Sequence, residues 1–186
     1  MDTILIYLQL GFEHILPLGF DHVLFILCLF FSAVNLKSIL WQSAAFTLAH
    51  SISLALVMLE FIPTSSALVE PMITISIVFA AVANIATDKL IKTRILLVLL
   101  FGLIHGLGFA GALNDMGLKE RQFFKSLISF NIGVEFGQLT VILAAWLLIG
   151  KWFHKKIWYR RRIVIPISTT IAVIAVYWTI ERIYWG

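Results

Sequence analysis

"ILLVLLFGLIHGLGFAGAL" runs from Ile95 to Leu113 without one Asp, Glu, Lys or Arg. A helix needs roughly 20 apolar residues to cross the hydrocarbon of a bilayer, and this stretch supplies them with a histidine, His105, at its centre. The chain around it is of the same kind: of its 186 residues 61% are hydrophobic and 13% charged, and the mean hydropathy is +0.99. A soluble domain of this size could not hide so much apolar surface. Barrel strands would alternate apolar and polar residues, and these runs do not. Such runs lie near 19–34, 40–59, 69–87, 94–113, 123–149 and 163–181. The expectation is an all-α integral membrane protein, six transmembrane helices in a single polytopic domain over 1–186.

Ahead of the first run stands "TILIYLQLGFEHILPLGF" (3–20). Together with the span behind it this is too long for one crossing, and Pro17 and Gly19 interrupt it. Residues 3–16 therefore read as a short interfacial or re-entrant helix. The start "MDTILIYLQL" has no basic n-region and no small-residue cleavage pattern, so no cleaved leader is expected. The lone cysteine, Cys28, excludes a disulfide within the chain.

The formal charge of +4 could suggest nucleic acid, but the basic residues collect in loops, as in "KWFHKKIWYRRR" (151–162). Membrane topology and anionic lipid explain that distribution better than nucleic acid does. Loops 34–40, 87–94 and 150–162 hold ten Lys and Arg, including Lys37, Lys89, Lys92 and Arg94, while the other side has four: Lys119, Arg121, Lys125 and Arg182. The positive-inside rule places both termini outside, which for a bacterial inner (cytoplasmic) membrane is the periplasm.

Polar residues inside a span face a cavity or one another, because facing lipid costs about 2.5–3.5 kcal/mol for a charged group. "FNIGVEFGQ" puts Asn131, Glu135 and Gln138 on one face of the fifth span. The second span repeats the arrangement with Ser43, Thr47 and His50, Ser51 lying beside His50. Asp21 and His22 open the first span, and Asn84 lies on a polar face of the third. At 1.5 Å per residue, His50, His105 and Glu135 lie roughly 15–18 Å from their starting faces, near the bilayer midplane. The same arithmetic leaves Asp21 and His22 about a turn below the outer surface and His14 at it.

Gly102 and Gly106 in the fourth span, and Gly133 and Gly137 in the fifth, have the GxxxG spacing that lets helix backbones approach. Gly108 adds a further small position beside His105. "FTLAHSISLA" (46–55) and "FGLIHGLGFA" (101–110) share Phe, Leu, His and Ala at matching positions, which chance or a parallel duplication would explain.

His22, His50 and His105 with Asp21 and Glu135 make a divalent-metal constellation, since imidazole suits Ni, Zn, Cu and Fe and a carboxylate completes the charge. His14, Thr47, Ser51, Asn131, Gln138 and Asn84 are supporting candidates. A single membrane histidine is usually a packing residue; three of them with two carboxylates make that less apt.

"GFEHILPLGFDHVLFIL", "FTLAHSISLAL", "FGLIHGLGFAGAL" and "FNIGVEFGQL" together resemble the HupE/UreJ family of bacterial membrane proteins, over about residues 11–140. The resemblance implies six or so transmembrane helices and uptake of nickel or cobalt serving hydrogenase or urease. It matches His14, Asp21, His22, His50, His105 and Glu135. In the hydrogenase-linked branch five residues separate the first His from the Asp-His pair, and a later motif reads Phe-His-Gly-x-x-His-Gly-x-Glu. Here six residues lie between His14 and Asp21, Phe101 stands at the position of that motif's first His, and Gly108 at that of its Glu. The chain is more similar to the family's second branch.

Two functions follow. In a metal-ion facilitator for nickel or cobalt, Asp21 and His22 collect the ion and His50, His105 and Glu135 bind it transiently. No Walker motif or room for a nucleotide domain exists in the sequence. In an intramembrane zinc-dependent hydrolase or transferase, Glu135 would be general base and Ser51 an oxyanion donor, acting on a lipid or lipid-linked substrate. Asn84 and Asp88 are the candidates for an inner exit. The partners expected are the metal ion and membrane lipids, with homo-oligomerisation left open.

Overall fold

The computed structural model describes residues 3–32, 35–87, 94–115 and 123–185. Asp88 and the loop cations Lys89, Lys92, Lys119 and Arg121 lie outside them. The regular structure described is all helical: α1 (Thr3–Ile15), α2 (Phe20–Ser32), α3 (Leu36–Met58), α4 (Ser66–Ala86), α5 (Arg94–Asp115), α6 (Phe123–Phe153) and α7 (Arg160–Tyr184). α6 passes through a π-helical turn at Trp146–Gly150, and α7 opens with another at Arg160–Val164.

Local chemistry sets the breaks. Pro17 has no N–H to continue α1, and at Gly19 the chain folds back so closely that a Cβ there would run into the His14 carbonyl. α3 begins where the Asn35 side chain accepts from the Ser38 N–H at 2.8 Å. It ends just before Glu60, which takes the left-handed φ of 60°.

Three pairs pack most closely: α1 with α6, α3 with α5, and α4 with α7, while α2 lies between them. Glycine makes the first two possible. A Cβ on Gly11 would strike the Phe130 carbonyl and one on Gly133 the Leu8 carbonyl, and Gly137 lies against Ile15. Contacts running from Leu8 to Ile15 thus pair with Gly133 to Gly137, so α1 is parallel to α6. On α5, Gly102 meets the Phe46 carbonyl at 2.6 Å from an added Cβ and Gly106 would collide with that of His50, again a parallel pair. Gly108 faces Ile73 of α4. Without a hydrophobic drive between helices in lipid, such backbone approach is what van der Waals packing offers.

α4 and α7 are antiparallel and tied by side chains. Thr179 donates to Thr74 at 2.9 Å, and Arg182 to the Glu70 carbonyl at 3.2 Å. At the other end Arg160 donates to the Asn84 and Ile85 carbonyls at 3.3 and 3.0 Å, a cation on the negative end of α4. The burial pattern is that of a lipid-facing bundle. Gln42, Ser43, Thr47, His50 and Gln138 are buried, whereas Trp41, Leu48, Ile52, Leu68 and Phe124 are exposed.

Four helices are long and apolar enough to cross a membrane: α3, α4, α6 and α7. α1 and α2, bent by 68° across their break, pass together as a fifth, either a broken span or a re-entrant segment. Of α5, the fully described part Arg94–Gly108 is apolar. Among the described residues this makes four spans, or five with the bent pair, and α1 pairs with α2 in that fifth rather than standing apart. α1 lies along a membrane-length helix rather than at an interface, because Gly11, Gly133 and Gly137 let it dock there.

Candidate metal centre

The break between α1 and α2 brings His14 and His22 together, with ring centroids 4.6 Å apart. His50 of α3 completes a triangle, 5.7 Å from His14 and 5.8 Å from His22. One nitrogen from each of the three lies within 4.8 Å of the others. His105 of α5 is 5.0 Å from His22, and Phe25 and Phe46 enclose it at 5.4 and 5.0 Å. Four imidazoles from four helices meet in one buried region.

Their protons can be placed from their partners. Asp21 accepts from the backbone N–H of His22 at 2.8 Å and from its Nδ1 at 2.9 Å. A carboxylate only accepts, so Nδ1 of His22 carries a proton, and in the neutral ring Nε2 keeps its lone pair. The Phe101 carbonyl likewise takes the Nδ1 proton of His105 at 2.8 Å, freeing that ring's Nε2. Both Nε2 atoms, and both nitrogens of His50, are buried without a hydrogen-bond partner. Leaving a buried polar atom unsatisfied costs about 1–3 kcal/mol, and a metal ion would relieve it. Carboxylate or carbonyl behind the imidazole is also the usual way a ligating ring is oriented. A first-row ion about 2.1 Å from each nitrogen needs N···N separations near 3.4 Å. The three rings would draw in by about an ångström to bind it.

Other expected site residues stand elsewhere. Glu135 accepts from Thr47 at 2.8 Å and, like His105, is outside the trio whose donor atoms lie within 4.8 Å of one another. Gln138 is bonded to Ser43, and Asn131 donates to the Leu127 carbonyl. Ser51 donates to the Thr47 carbonyl at 2.6 Å. Asn84 lies at the far end of α2, donating to the Cys28 carbonyl at 2.8 Å and accepting from Arg94 at 2.9 Å.

His14 and His22, with Asp21 beside them, were expected well apart from His50 along the bundle and instead meet His50 and His105, because α1 runs about 20 Å along α6 before the break. His14 belongs with the converging rings and is more than a support. Sequence reasoning also missed Arg182, whose guanidinium lies 3.9 Å from Asp21 and 3.8 Å from Glu70. It missed the Phe25 and Phe46 enclosure as well, and it read Gly19 as an interruption without the close approach to His14 that the glycine allows.

Neither curated proteins nor solved structures gave a match. A family model described as HupE / UreJ protein matches residues 1–182. Covering nearly the whole chain, that match carries its own conclusion: the chain belongs to the HupE/UreJ family.

Proposed function

We propose that the protein is a divalent metal-ion facilitator of the nickel or cobalt type, with the ion as cargo rather than as a resident cofactor. The observation that carries this reading is the meeting of buried imidazole lone pairs at the break of a bent helix pair. Discontinuous helices near the midplane are where many transporters bind their ions. His14, His22, His50 and His105 are the ligands in this proposal, and Asp21 supplies charge and orients His22. Ligand nitrogens that must draw in to bind hold an ion loosely enough to release it.

In the same reading the chain crosses a bacterial inner membrane six times, α1 and α2 together making one crossing and α5 another. The excess of Lys and Arg puts the α3 N-terminus inside and both chain termini outside. The hydrolase alternative draws less support, since Glu135 is engaged with Thr47 and Ser51 with its own helix.

Purified protein in proteoliposomes should admit nickel or cobalt, and His50→Ala should abolish both binding and entry. Vesicles that admit neither metal, or a His50→Ala protein that still does, would overturn the proposal.

A further inference from the structure

α3 and α6 are antiparallel, and two polar pairs join them among apolar contacts. Thr47 is paired with Glu135, and Ser43 with Gln138 one turn on. This register makes Asn131 level with His50, and Ile39 level with Ile142. A ladder of polar groups thus descends from the histidines: His50 and Asn131, then Thr47 and Glu135, then Ser43 and Gln138. Below it Ile39 and Ile142, 3% and 2% exposed, share one packed cluster with Phe30. Beyond that layer a cavity of about 370 Å³ begins, lined by Ile39 and Phe30 together with Asn35, Asn84, Trp146 and Arg160. It lies at the end of the bundle where α3 begins and α4 ends.

Besides the two nitrogens of His50, two atoms along the ladder are buried and have no hydrogen-bond partner: Oδ1 of Asn131 and Nε2 of Gln138. Turned about its last torsion, the Gln138 amide would donate from its nitrogen to Ser43 and leave its oxygen for a cation. One of its ends is held by Ser43 and the other is left to a ligand or water.

We infer that the α3–α6 seam is the inner half of the cargo path. The oxygens of Asn131, Thr47, Glu135, Ser43 and Gln138 form a second, oxygen-donor station for a divalent cation leaving the histidines. The Ile39–Ile142 layer is the constriction between that station and the inner cavity. The inference rests on the transport reading above and adds the exit to it.

The chemistry runs in the right direction for release. Late first-row ions prefer imidazole to neutral oxygen, so each step down the ladder loosens the hold, while Glu135 supplies negative charge for the divalent ion. Apolar constrictions gate by excluding water. The mechanics agree, because α3 is locked to α5 and α6 to α1 through glycine contacts. The two pairs can part at the polar seam without breaking either lock, as two bundles rocking against each other.

The test pairs nickel binding, by equilibrium dialysis in detergent, with nickel uptake into proteoliposomes, for wild type, Gln138→Leu and Ile142→Ala. Ile142→Ala, which touches neither station, should bind nickel as wild type does, and Gln138→Leu should keep the histidine site while losing the weaker second site. Uptake should fall at least tenfold in Gln138→Leu and rise severalfold in Ile142→Ala. Wild type that binds nickel but admits none sinks the transport reading and this exit with it. Wild-type uptake with both variants unchanged sinks the exit alone. Should either variant fail to fold, Ile39→Cys in a Cys28→Ser chain replaces it. An impermeant thiol reagent added from the α3 N-terminal side should react there and block uptake, and reaction without effect on uptake, or none, overturns the inference.

Discussion

Replacing Asp21 with Asn keeps the shape of the side chain and removes its charge. In the fold Asp21 holds the Nδ1 proton of His22 at 2.9 Å. Adding the width of the ring and a metal–nitrogen bond of about 2.1 Å puts a bound ion about 7 Å from the carboxylate. At that distance a divalent ion and a unit negative charge attract by about 5 kcal/mol at an effective dielectric constant of 20, and by about 1 kcal/mol in bulk water. Asp21 is 18% exposed and shares its charge with Arg182 3.9 Å away, so the effect should lie between these limits. A loss of about 100-fold in nickel affinity, near 2.7 kcal/mol, is the expected outcome. Dialysis against nickel, or competition with a coloured chelator, measures it at two salt concentrations. Salt should change the ratio of affinities little, since the pair is mostly shielded from solvent. The reasoning fails if Asp21→Asn binds nickel within about threefold of wild type while His22→Ala abolishes binding.

Arg182→Gln removes a cation that competes for Asp21 and Glu70, and should strengthen nickel binding severalfold in wild type but not in the Asp21→Asn background; equal effects in both would show that the contact is incidental. Gly106→Ala drives a methyl into the His50 carbonyl and the Ser53 hydroxyl, so it should cost about 1–3 kcal/mol of stability and weaken nickel binding as α5 carries His105 away, readable by thermal melting in detergent and dialysis. Arg160→Ala strips the last carbonyls of α4 of a charged donor and should destabilise by about 1–3 kcal/mol with nickel affinity unchanged, a separation that a role in the ligand cluster would abolish. Protein washed with a mild chelator should hold no metal by elemental mass spectrometry, whereas about one zinc retained per chain would favour a closed catalytic site.

The helical class, the lipid-facing pattern and three of the four clustered histidines were legible because each depends on local sequence: apolar length, helical period, and an ionisable group where lipid would penalise it. The glycine ridges were legible too, but not their partners. Nothing local says that Gly133 and Gly137 receive α1 while Gly102 and Gly106 receive α3. That pairing sets the depth of α1, and with it the depth of His14 and His22. Read alone, a 13-residue helix is too short to span, so it looked like a surface element. Glu135 was misplaced for a similar reason. Its face on α6 was right, but the antiparallel register with α3 pairs it with Thr47 one turn away from the rings. The length of α4 carries Asn84 to the opposite end of the bundle, away from the site it was expected to support and at the end where an inner exit was expected.

The break between α1 and α2 also explains why the acidic residue of the cluster precedes His22 rather than lying elsewhere. His14 is the penultimate residue of α1 and His22 the third of α2. The cluster is therefore within one turn of two helix ends, the range over which a helix dipole acts. The end of α1 carries about half a negative charge, which favours a cation, and the start of α2 about half a positive one, which opposes it. Asp21, in the first turn of α2, cancels the unfavourable end and leaves a net negative environment. The same side chain fixes the His22 tautomer and meets Arg182. In the facilitator reading a bound ion shares the charge on Asp21 with Arg182. The carboxylate is thus never left unpaired in a low-dielectric site, with or without the ion.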